Sequence, residues 1–135
     1  MIERKCSCKM GIHRAPLEKF IIESGAVNRL PELLKDYKKV YMVCDENTYR
    51  VLGNRAESPL KTAGIFSHKH ILTGDVLPDS RNIGDVLIHL WNPKEDSDIF
   101  RYSPQPDFIL AVGSGVINDI CRAVSYRLGI PYGIA

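Results

Sequence analysis

Two short runs constrain this chain more than any other feature: Val40-Tyr41-Met42-Val43-Cys44 and Phe108-Ile109-Leu110-Ala111-Val112. Neither alternates apolar with polar residues. A strand that shows water neither face belongs in a parallel sheet covered by helices on both sides. The residues behind each run agree. After the first, Asp45-Glu46 starts a helical stretch toward Gly53. After the second, Ile117, Ile120, Cys121, Val124 and Leu128 share one helix face, and Gly129 stands where a helix-ending glycine belongs.

Between and around these runs the same alternation continues. Phe20-Ile21-Ile22 reads as a short extended run before a turn at Gly25. Leu30, Leu33, Leu34 and Tyr37 fall at helical spacing, with Pro31 suited to a first turn. Ser58-Pro59 reads as the opening of a second helical piece that ends near Gly64, and residues 66–72 as a strand. Leu77-Pro78-Asp79-Ser80 looks like a helix start, followed by Ile83, Val86, Leu87 and Leu90 on one face and a stop before Asn92-Pro93. Residues 94–106 are charged, contain Pro104 and Pro106, and read as a loop; residues 130–135 open one more strand. The expected fold class is α/β, a mostly parallel sheet with helices on both faces. No helix follows the last strand, so the sheet reads as truncated after it; the alternative is an edge strand at 130–135.

At 135 residues the chain is one domain's worth, long enough to bury about two-thirds of its unfolded surface. A formal charge of +2 gives no reason to expect nucleic acid or an anionic membrane as a partner. No apolar run has the length of a membrane-spanning helix. The start, MIERKCSCKMGIHR, has no apolar core and is not a secretory signal, which favours the cytoplasm. Cys44 and Cys121 lie in apolar surroundings and read as small buried hydrophobes rather than disulfide partners.

The turn between the second run and its helix is Gly113-Ser114-Gly115-Val116-Ile117-Asn118-Asp119. Strand, glycine turn and helix form the arrangement that binds phosphate, because the first helix amides lack internal partners and carry the positive end of the helix dipole. Gly113 and Gly115 would let a pyrophosphate approach the backbone, Ser114 would add a hydroxyl, and the amides of Gly115, Val116 and Ile117 would face the phosphate oxygens. The full G-x-G-x-x-G pattern is missing, since Asn118 stands where the third glycine would fall. A tight turn that merely needs small residues remains the plain structural alternative. Asp45, at the end of the first run, has two readings of equal weight. It either accepts the ribose hydroxyls of an adenosine or caps the helix that begins at Glu46.

Three smaller groupings stand apart. Cys6, Cys8 and His13 are zinc-type donors, but C-x-C is tighter than usual and no fourth ligand is evident, so a surface segment is the favoured reading. His68 and His70 share a face if residues 66–72 form a strand, and they read as solvent-facing. Lys35, Lys38 and Lys39 read as a solvated helix end.

VCDENTY, AVGSGVIND and SYRLGIPYGIA together resemble the N-terminal half of the sn-glycerol-1-phosphate dehydrogenase family, within the dehydroquinate synthase-like and iron-containing alcohol dehydrogenase superfamily. CSCKMGIH is similar to the start of bacterial members. The resemblance implies that residues 1–135 form a Rossmann-like N-terminal domain binding NAD, with NADP as the alternative. An all-helical metal-binding domain would follow, and the family's hydride transfer joins the cofactor and dihydroxyacetone phosphate. By position, Gly113, Ser114, Gly115, Val116 and Ile117 match the pyrophosphate loop, Asn118 and Asp119 the polar pair near the nicotinamide, and Asp45 the ribose contact, which favours NAD. The implied partners are a nucleotide cofactor and a phosphorylated three-carbon substrate, with room for a homo-oligomer. The family's Thr-Ala-Pro-Ser segment, and the Asp and two His that hold a divalent zinc or nickel ion, have no counterpart here. His13, His68, His70 and His89 sit in no matching motif. This stretch alone is therefore expected not to turn over. Alternatives are a stand-alone non-catalytic nucleotide-binding module, a polyol dehydrogenase or dehydroquinate synthase-like lyase, and a flavodoxin-like domain with a purely structural turn.

Overall fold

The computed structural model describes residues 2–15, 17–91 and 105–135. Four parallel strands, β3 (Val40–Asp45), β4 (Phe66–Leu72), β5 (Phe108–Ala111) and β6 (Tyr132–Ile134), form a sheet in the order β4-β3-β5-β6. The helices are α1 (Leu30–Leu33), α2 (Glu46–Thr48), α3 (Asn54–Thr62), α4 (Ser80–Ile88) and α5 (Gly115–Leu128). An antiparallel hairpin, β1 (Ile2–Lys5) with β2 (Ile12–Ala15), precedes them.

The two apolar runs become the inner strands for the reason their composition suggests. Tyr41, Val43, Ile109 and Ala111 point to one face and pack with Val86 of α4 and with Ile117, Ile120, Cys121 and Val124 of α5. Val40, Met42, Cys44, Phe108, Leu110 and Val112 point to the other, against Leu30 of α1 and Ala56 and Leu60 of α3. Val40 through Cys44 are fully buried, and each large side chain so placed contributes roughly 1.5–3 kcal/mol relative to exposure. The N-terminal ends of the inner strands are tied by Asp107, whose two carboxylate oxygens each accept a backbone N–H, from Lys38 and Lys39, at 2.8 Å.

Some expectations are corrected. Residues 20–22 form no strand, and Phe20 and Ile22 are exposed; among the described residues no strand pairs with them. Pro59 does not open a helix; it lies inside α3. Helical backbone runs from Glu46 to Thr62 through a π-helical turn over Tyr49–Gly53, because the start is fixed upstream at Asp45. The helix expected from Leu30 shortens to α1 after a 3-10 turn at Ala26–Arg29, with Pro31 in its first turn as anticipated. The strand expected at 130–135 forms as β6, paired in parallel with β5. The stretch 94–106 expected as a loop lies outside the described residues except for Gln105 and Pro106.

Candidate functional site

From β3 the chain goes one way to β4, crosses back through α4 to β5 on the other side, and continues through α5 to β6. The strand order therefore reverses between β3 and β5. In open α/β sheets the crevice at the carboxyl ends of such a pair is where ligands bind. Asp45 ends β3, and the turn from Gly113 to Gly115 leaves β5, so the fold brings the two sequence candidates to that one crevice.

The glycines of the turn differ in kind. Gly113 adopts φ +155°, and a Cβ there would lie 2.8 Å from Ile117 Cγ1 and 3.2 Å from Thr48 Cγ2. It is a packing glycine, pressed between Ile117 of α5 and Thr48, the last residue of α2. Gly115 is the opposite case: it is exposed at the first position of α5, and a Cβ there would meet nothing within 4 Å. That open space lies directly over the helix N-terminus. Ser114 is the N-cap residue by backbone conformation, yet its side chain makes no capping bond, and no acidic residue occupies the first turn. The first-turn amides are thus neither capped nor neutralised, the condition in which a helix start attracts an anion. The turn is held by the sheet: the Val112 N–H donates to Val43 O at 2.8 Å and the Gly113 N–H to Ala135 O at 3.1 Å.

Asp45 does cap α2. Its Oδ1 accepts the Thr48 N–H at 2.7 Å, while Thr48 Oγ1 accepts the Asp45 N–H at 3.0 Å, a reciprocal capping box. A carboxylate offers about four lone-pair sites, so a cap through one oxygen leaves acceptor capacity on the other. Asn118 and Asp119 are the fourth and fifth residues of α5, half-buried and past the uncapped amides; Asp119 Oδ1 accepts from Arg122 at 3.0 Å. Thr48 escaped sequence reading, although Asp-x-x-Thr at a strand end carries the reciprocal cap as its signal.

Two recesses, of about 430 Å³ beside Thr73, Arg81 and Asp85 and about 580 Å³ beside Asn28, Arg55 and Pro59, include neither Asp45 nor the glycine turn. Backbone geometry, rather than concavity, marks the crevice.

The histidines of β4 are not solvent-facing as expected. His68 and His70 face α4, and His70 Nε2 lies 2.7 Å from Asp85 Oδ2 with its ring stacked on His89 at 4.1 Å. Lys69 points the other way, 2.6 Å from Glu57 Oε2. The alternation of a strand put both histidines on one side, and the packing of α4 there decided which side was covered.

The model of the family described as iron-containing alcohol dehydrogenase matches residues 21–134. The chain belongs to that family. Among curated members of its wider kin, glycerol-1-phosphate dehydrogenase (NAD(P)+) of Bacillus velezensis is 32% identical over 133 residues, covering 92% of this chain and 30% of that protein. The protein of the same name from Bacillus subtilis is 30% identical over 122 residues, covering 86% and 28%. The chain thus spans under a third of the length of these relatives. Among solved structures, glycerol dehydrogenase from Schizosaccharomyces pombe superposes with a TM-score of 0.63 at 17% identity, covering 81% of this chain and 25% of that one. The iron-containing alcohol dehydrogenase fold thus accounts for the parallel sheet and its flanking helices. No described helix is long and apolar enough to cross a membrane.

Proposed function

We propose that residues 1–135 form the NAD(P)-binding part of an sn-glycerol-1-phosphate dehydrogenase, the hydride acceptor and donor being NAD in preference to NADP. The observation that carries this reading is the uncapped start of α5 beneath an open Gly115, at the point where the strand order reverses. The similarity to proteins named glycerol-1-phosphate dehydrogenase supports the choice of reaction over other chemistries of the same fold.

In this reading the amides of Gly115, Val116 and Ile117 donate to the pyrophosphate oxygens, and the Ser114 hydroxyl adds a fourth donor. Gly113 keeps the turn flat against Ile117 and Thr48 so that those amides point outward. Asp45 caps α2 through Oδ1 and accepts the adenosine ribose hydroxyls through its other oxygen, where a 2′-phosphate would be repelled. Asn118 and Asp119, the fourth and fifth residues of the same helix, lie toward the nicotinamide. A nicotinamide held there would supply the hydride chemistry that interconverts a phosphorylated three-carbon ketone and its secondary alcohol. The whole enzyme's divalent metal and substrate contacts are assigned to the helical domain of the full-length relatives, and the location is read as cytoplasmic.

The test is NADH binding by the 135-residue chain, followed by calorimetry and by thermal midpoint. NADH in hundredfold excess over its Kd should raise stability by about 2.7 kcal/mol. Gly115→Val, which fills the open space, should remove the response while leaving the unliganded melting profile intact. An unchanged NADH affinity in that variant would overturn the phosphate-loop assignment.

A further inference from the structure

We infer that Cys6, Cys8 and His13 bind a thiophilic divalent cation of the zinc class at the tip of the β1–β2 hairpin, a site independent of the nucleotide crevice. The hairpin register builds the cluster. Arg4 pairs with His13 and Lys5 with Ile12, so Cys6 falls opposite Gly11. Side chains two apart along a strand share a face, which puts Cys6 on the face of His13. Gly11 has no side chain to fill that face, and a Cβ there would meet nothing within 4 Å. The six-residue turn then folds Cys8 back, held by the Cys6 N–H donating to Gly11 O at 2.9 Å and the Gly11 N–H donating to Cys8 O at 3.0 Å.

The donor atoms of the three residues all lie within 4.8 Å of one another, and Cys8 Sγ is 2.9 Å from His13 Nε2. Zn–S and Zn–N bonds in a tetrahedral site place ligand atoms roughly 3.6–3.8 Å apart, so small side-chain rotations bring the triangle to size. The Cys8 N–H points at Cys6 Sγ at 3.4 Å, a backbone donor to sulfur of the kind that supports a metal-bound thiolate. The tight C-x-C spacing that counts against a site in sequence is accommodated because Cys6 ends a strand and Cys8 sits in the turn. Two sulfurs and an imidazole select zinc-like cations over magnesium or calcium, which take oxygen ligands. All three residues are exposed, so water completes the fourth position. On binding, Cys6 and Cys8 each release their thiol proton to solvent, His13 coordinates as neutral imidazole through Nε2, and no electron moves.

The other cluster of this kind among the described residues, His70, Asp85 and His89, has no sulfur and serves as an internal control. Cobalt(II) titration of the reduced chain should give one ion per chain with sulfur-to-metal charge-transfer absorption that Zn2+ displaces. Cys8→Ser should lose at least half of that absorption and most of the retained metal on dialysis, Cys6→Ser should do the same, and Asp85→Asn should leave both unchanged. Circular dichroism of each variant reports that the chain is folded. Absence of the sulfur band, its survival intact in Cys8→Ser, or one metal per two chains would overturn the assignment.

Discussion

The methyl group of Thr48 lies against Gly113: a Cβ added to Gly113 would come within 3.2 Å of Thr48 Cγ2. Thr48 is also the reciprocal partner of Asp45 in the cap of α2. One residue therefore couples the carboxylate at the end of β3 to the glycine turn at the end of β5, and the two halves of the crevice are set by a shared contact.

Gly113→Ala should destabilise the fold, because the new methyl meets buried Ile117 at 2.8 Å and Thr48 is fixed by two hydrogen bonds. Overpacking of this kind costs about 1–3 kcal/mol. Gly115→Ala, in open space, should stay within about 0.5 kcal/mol of the parent. Urea midpoints of the two variants check the contrast; equal losses would show that Gly113 is not a packing glycine.

Asp45 carries a cap and, in the proposed function, a ribose contact, and two substitutions separate them. Asn caps about as well as Asp, so Asp45→Asn should keep stability, whereas Asp45→Ala should lose about 0.5–2 kcal/mol. Loss of the charge-assisted ribose contact, about 1.5–3 kcal/mol, should weaken NADH in both and narrow the preference over NADPH. NADH and NADPH titrations read this directly. If Asp45→Asn keeps full NADH preference, the residue is a cap alone.

Glu57 should give the fold an acid limb. Burial alone would push its carboxyl up, but hydrogen bonds from Lys61, Lys69 and Tyr49 outweigh that and hold it at about 2. An unfolded glutamate titrates near 4.3, so the folded value is the lower one. The stabilisation is complete above the unfolded value and is lost as pH falls toward the folded one. Glu57→Gln should be less stable by about 1–3 kcal/mol at neutral pH, and the gap should close between about pH 4 and pH 2. Denaturation at stepped pH measures it; a gap constant down to pH 2 would contradict the assignment.

The four cysteines should fall into two classes with a thiol reagent. Burial pushes the Cys44 and Cys121 thiols up to about 12, and both side chains are fully enclosed. Exposed Cys8 is shifted the other way by the hydrogen bond from Cys6, and thiolates are the reactive form. The metal-free native chain should titrate two thiols quickly, Cys6 and Cys8, and the remaining two only after denaturation. Four fast thiols would mean that the core opens on the timescale of the reaction.

Sequence by itself determined the elements whose residues must leave water wherever the chain goes. Val40–Asp45, Phe108–Ala111 and Gly115–Leu128 were legible because unbroken apolar runs and a single apolar helix face have few other resting places. The glycine turn was legible for the same local reason, since glycines at a strand-to-helix junction mark a backbone that side chains would obstruct.

Tertiary structure alone decided the pairings. That Gly113 is needed for packing and Gly115 for open space depends on Ile117 and Thr48, one a turn ahead and one across the crevice. The turn of His68 and His70 toward α4, and of Lys69 toward Glu57, depends on which helix covers which face of β4. The hairpin that gathers Cys6, Cys8 and His13 depends on a register between strands too polar to announce themselves. Local sequence fixes what a residue can do with its own backbone; contacts between residues far apart in the chain exist only once the sheet has set their distance.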